Sequence, residues 1–130
     1  MKRPLLVYDG DCGFCRAAAQ RGMRWTGGAV DFAPFQEVAD RFPHISRAAF
    51  AEAVFLIEPG GRTTRAGEAV LRALEWGGHA RGARLYRASR WFRLLCEAAY
   101  RWVAAHRAGL GRWLGLRACR VDPDRGRMRP

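Results

Sequence analysis

"VYDGDCGFC", Val7 to Cys15, joins the end of an apolar run to two carboxylates and two thiols. The run itself, "PLLVY" at 4–8, is β-rich, with Pro4 at its start where a missing N–H does little harm; it predicts a short buried strand. Asp9 and Gly10 make a turn. Asp11 has the side chain of a helix N-cap, and a helix from Cys12 to about Trp25 should follow, with Phe14, Ala18 and Trp25 on one face. "TGG" at 26–28 ends it. The stretch reads as strand, turn and helix, with both cysteines in the first helical turn.

Outward from there the pattern repeats. "AVDFAPF" (29–35) alternates like a second strand, and 36–52 is helical in pieces, broken at Pro43 with Ser46 as a new cap. "AVFLI" (53–57) is a third strand, "EPGG" (58–61) a turn, and "RTTRA" (62–66) the returning fourth strand. Glu68 to Trp76 forms a helix with Val70, Leu71 and Leu74 inward, closed by Gly77 and Gly78. Strands joined through a helix favour parallel pairing, and the tight turn forces the last two to be antiparallel. The order β-α-β-α-β-β-α is α/β, that of a thioredoxin-like three-layer core over residues 1–78. Residues 79–118 are expected to add helices packed on that core, and 119–130 a basic, disordered tail, all as one structural domain.

A chain of 130 residues that is 49% hydrophobic can bury a core without staples. "LLVY" is too short for a signal-peptide core, and nothing approaches the ~18 apolar residues of a membrane span. The expected setting is the cytoplasm, where thiols are kept reduced, so the four cysteines suggest catalysis, metal binding or burial over a disulfide framework.

Carboxylates or thiols must carry the chemistry of 8–15. A strand ending in D-x-D resembles the opening of haloacid-dehalogenase-type phosphotransferases. That chemistry also needs a phosphoryl-holding lysine and later acidic residues for magnesium, whereas Lys2, the only lysine, precedes the strand. The thiols fare better. Cys12-Gly13-Phe14-Cys15 sits where unpaired helix N–H groups and the positive end of the helix dipole favour a thiolate. Such a setting lowers a cysteine pKa from about 8.5 to ~3.5–7.5. The three-residue spacing also lets the second sulfur resolve a mixed disulfide on the first. Cys12, nearer the N-terminus, is the expected nucleophile and Cys15 the resolving thiol. Asp9 either moves the Cys15 proton or is a turn aspartate bonding its own backbone. The competing use of the pair is half a zinc site completed by Cys96, Cys119, His44, His79 or His106, which form no second close pair. Cys96, in "FRLLCEAA", reads as a buried apolar residue; Cys119 lies in the basic tail, as an extra thiol or a bystander.

These residues carry a resemblance. "VYDGDCGFC" is similar to the Y-D-G-x-C-x-x-C signature of the DCC family of thiol-disulfide oxidoreductases. "VDFAPFQ" resembles that family's second strand, "GGRTTRAGEAVLRAL" its hairpin and following helix, and "YRWVAAHRAGLGRWLG" its C-terminal arginine-rich segment. The resemblance covers residues 5 to about 116. It implies a thioredoxin-like fold and dithiol chemistry at Cys12 and Cys15, with Asp9 and Asp11 as motif residues and no bound cofactor. It implies little about the substrate; dithiol exchange itself takes a thiol or disulfide, protein or small molecule. One feature departs from thioredoxins and glutaredoxins: these place a cis-proline just before the third strand to help dock substrate backbone, whereas Glu52 and Ala53 occupy that region here.

Charge divides the chain unevenly. Residues 1–80 carry ten basic and nine acidic side chains; residues 81–130 carry thirteen and three. Arg81, Arg84, Arg87, Arg90 and Arg93 recur every third residue, so on one helix they wind around it and form no single stripe. Trp91, Trp102 and Trp113 lie among the arginines. The aromatics are expected to pack this extension on the sheet while the arginines stay solvated. An acidic protein is the partner such a surface would take, ahead of nucleic acid or a membrane surface. A basic surface near the cysteine helix would also lower a thiol pKa and so join the two halves of the chain. The alternative to an oxidoreductase is a non-catalytic binding module on the same fold, engaging an acidic partner through the region Arg81–Arg93.

Overall fold

The computed structural model describes residues 2–113. Strand β1 (Leu5–Tyr8) leads into helix α1 (Gly13–Thr26), then β2 (Asp31–Pro34), a short helix α2 (Phe35–Val38), a 3-10 turn (Ala39–Arg41) and α3 (Arg47–Glu52). Strands β3 (Phe55–Ile57) and β4 (Thr63–Arg65) form a hairpin, followed by α4 (Ala66–Trp76), α5 (Arg81–Ala88) and α6 (Arg90–Trp113). The sheet order is β2-β1-β3-β4, with β1 parallel to β2 and β3 antiparallel to both β1 and β4. This is the expected α/β, thioredoxin-like arrangement with C-terminal helices added. The tail 119–130 and Cys119 lie outside the described residues.

Period-two alternation sorts the strands into two cores. Leu5, Val7, Phe55 and Ile57 face Val38, Phe42 and Phe50 on one side of the sheet. Leu6, Tyr8 and Leu56 face Ala19, Ala69 and Ala73 on the other. Because helices cover both faces, β1 and β3 read as unbroken apolar runs, which is why a sequence pattern finds them. As expected, Ser46 caps α3, its Oγ accepting from the Ala49 N–H at 3.0 Å. Glu58, buried at the end of β3, is held by Arg72 and by Trp76 Nε1 at 3.0 Å, which fastens the hairpin to α4.

Three expectations need correction. The inward face of α4 is Gly67, Ala69 and Ala73, while Val70 is exposed and Leu71 turns toward α5, where Gly82 makes room for it. Small residues let the helix lie close on the sheet. The arginines at 81–93 do not share one helix: α5 ends at Ser89, whose Oγ accepts from the Phe92 N–H at 3.2 Å and starts α6. Nor do Trp91 and Trp102 pack the extension on the core, being 74% and 56% exposed. Tyr100 ties the extension to the core, its Oη accepting from the Val54 N–H at 2.9 Å, while Tyr86 joins α5 to α6, its Oη donating to Glu97 at 3.0 Å. No helix among the described residues is long and apolar enough to cross a membrane.

Candidate functional site

The site begins where β1 stops. Asp9 Oδ1 accepts from the Asp11 N–H at 3.0 Å, a side chain closing its own turn, and the Cys12 N–H reaches Asp9 O at 3.4 Å. The helix cap expected at Asp11 falls one residue later. Cys12, with extended φ −101° and ψ 116°, is the N-cap, and its Sγ accepts from the Cys15 N–H at 3.3 Å. The turn that Asp9 closes holds Asp11 before the helix, so a sulfur takes the place usually held by oxygen.

Gln36, at the start of α2, ties this turn to its neighbours. It accepts from the Gly10 N–H at 3.1 Å and donates to Asp9 Oδ1 at 3.0 Å and Asp11 Oδ2 at 3.3 Å. Arg107, far along α6, closes the other side. Its Nη1 donates to Cys15 Sγ at 3.6 Å, while Nη2 lies 3.6 Å from Asp9 Oδ2 and donates to Ala51 O at 3.1 Å. One guanidinium thus touches the second thiol, the turn carboxylate and the end of α3.

The two thiols are driven apart. Cys12 is lowered to about 6: the Cys15 side chain hydrogen-bonds its sulfur, and the Cys15 N–H and the Arg107 charge add to this against burial and Asp9. Cys15 is raised, because it is the donor in that bond, is buried, and faces the negative charge of Cys12; Arg107 opposes the rise. The arrangement favours the anion at the helix end and the neutral thiol one turn in.

Cys12, Cys15, Asp9 and Asp11 are therefore brought together, as the sequence pattern suggests, and the expected link between the basic C-terminal segment and the thiols is made by Arg107. Asp9 is a turn aspartate with its second oxygen on an arginine. Arg107 and Gln36 belong to no motif of their own; the only signal for them in the sequence is their place within segments that resemble the DCC family. Cys96 is a half-buried free thiol on α6, pushed up by burial. Of the arginines at 81–93, Arg87 pairs with Glu75 at 2.8 Å and Arg93 lies over the Tyr86 ring. Among the described residues no group of three or more His, Cys, Asp or Glu is placed to hold a metal ion.

Comparison with family models agrees with this geometry: the model for DCC1-like thiol-disulfide oxidoreductase matches residues 6–113, from β1 to the end of α6. No curated protein and no solved structure matches the chain.

Proposed function

The chain belongs to the DCC1-like thiol-disulfide oxidoreductase family, and from that premise we propose that it is an enzyme exchanging a Cys12–Cys15 dithiol with the disulfide of a thiol compound. One observation carries this reading: Cys12 Sγ caps α1 while Cys15, one turn in, is gripped by Arg107. The Cys12 thiolate attacks a substrate disulfide, forms a mixed disulfide and expels one substrate thiolate. Cys15 then loses its proton and attacks Cys12 Sγ, releasing the second substrate thiol and leaving the Cys12–Cys15 disulfide. Two electrons pass from the dithiol to the substrate, and a second thiol compound returns them. No bound cofactor enters the scheme.

In it Arg107 is a positioning residue that steadies the thiolate and the Cys15 anion formed on the way to resolution. Asp9 and Asp11 support it by shaping the turn, Asp9 also by holding Arg107. The test is titration of the protein through dithiol redox buffers, read by alkylation and intact mass with a chelator control. A reversible two-electron transition confined to Cys12 and Cys15, lost in Cys12→Ser and trapped as a mixed disulfide in Cys15→Ser, is the expected result. A pair that never oxidises, or becomes alkylatable only after chelation, overturns the reading.

A further inference from the structure

The substrate class can be narrowed from what surrounds the thiols, on the premise that the redox reading above holds. An extended polypeptide docks beside a reactive group by pairing with free backbone N–H and C=O groups at a strand entrance. The entrance to β3 offers few. The Val54 N–H is bonded to Tyr100 Oη at 2.9 Å, Val54 O accepts from the Ala66 N–H at 2.9 Å, and Ala51 O accepts from Arg107. Helix α6 and the start of α4 have taken the positions that a peptide would use.

Beside Cys15 α6 leaves a cleft. It has a volume of about 320 Å3 and runs between α1, α4 and the C-terminal half of α6, with Cys15 and Arg107 among the residues lining it. Its α1 wall extends from Phe14 to Thr26, so the cleft follows the helix for roughly 18 Å. A cleft long in one direction and of this volume suits a slender apolar body. Phe32, Leu74 and Val103 make the walls apolar, and the Arg107 charge stands where a thiolate would leave.

We propose that the cleft holds the aliphatic body of a small-molecule disulfide, so that the preferred substrates are alkyl disulfides and not extended polypeptides. The chain lies along α1 while its sulfur meets Cys12. Attack places the alkyl thiol on Cys12 and expels the other half as thiolate. Resolution by Cys15 then releases the alkyl thiolate, which takes up the proton that Cys15 gives up.

The experiment uses the full reduced chain and alkyl 2-pyridyl disulfides from ethyl to octyl, following release of pyridine-2-thione. Each rate is divided by that of the same reagent with dithiothreitol, which removes intrinsic reactivity. The octyl reagent is expected to react at least tenfold faster than ethyl. Two filling variants, Ala18→Phe on α1 and Ala104→Phe on α6, should each bring the octyl-to-ethyl ratio toward one. Rates independent of chain length, or a ratio untouched in both folded variants, overturn the assignment while leaving the dithiol reading intact. So does faster reaction with oxidised insulin, which would point to a polypeptide, or an octyl preference that appears only as the protein is diluted, which would give the cleft to a second copy. If none of these disulfides oxidises the pair, both readings fall together.

Discussion

At Cys12 the influences on the thiol can be ranked and hence tested one at a time. The Cys15 side chain lowers its pKa most, the Cys15 N–H next and the Arg107 charge after that, bringing it to about 6. Alkylation of Cys12 by iodoacetamide should therefore rise with pH through about 6 and level off near neutrality, where an ordinary thiol is still mostly protonated. Cys15→Ala should move that midpoint upward most, and Arg107→Gln less, slowing alkylation at pH 6 by roughly threefold. A midpoint unchanged in both variants, read by mass spectrometry across a pH series, would mean that the helix terminus alone sets the thiol. The residues at 9–15 were legible because they are contiguous and their chemistry is written in their spacing. Arg107 was not, because it stands 92 positions from Cys15 and arginine supplies 22 of the 23 basic side chains. Gln36, 27 positions from Asp9, bears no chemistry until folding brings it to the turn.

Among the elements, α6 is joined to the core through few polar contacts, and Tyr100 to Val54 is the central one. Tyr100→Phe keeps the ring and removes the acceptor, stranding a half-buried N–H at the entrance to β3. The expected cost is about 1–2 kcal/mol in chemical denaturation, with the Val54 amide exchanging its hydrogen faster than its β3 neighbours. Unchanged exchange at Val54 would show that another group takes the bond over. Strands β1 and β3 were readable as elements because each is a short apolar run, and β4, Thr-Thr-Arg, was readable through the Pro-Gly-Gly turn that precedes it. The faces of the helices were less so. In α4 a pattern search gives weight to Val70, Leu71 and Leu74, while the sheet selects the glycine and alanines that permit close approach. In α6 Trp91 and Trp102 advertise burial, yet Tyr100, Val103 and Arg107 meet the core. Apolar residues recur on both sides of that helix, and periodicity alone does not say which side turns inward.

For the whole molecule, this two-sided α6 separates stability from surface. Trp91 and Trp102 project into solvent, so replacing both with Gln should shift thermal unfolding by no more than about 0.5 kcal/mol, although they are among the largest side chains in the segment. A loss of several kcal/mol would mean that they are covered. The layer architecture was legible because β-α-β followed by a hairpin admits few arrangements. The contact that completes the site was not, since it joins the two ends of the fold. That separation has a consequence for biosynthesis. The cysteines are translated 92 residues before the arginine that grips one of them, so at ~5–20 residues per second the nascent chain carries its dithiol for roughly 5–20 s before Arg107 is made. Arg107 adds the last of the influences that lower Cys12, so a truncated chain ending before Arg107 should carry a Cys12 somewhat less acidic than that of the finished fold.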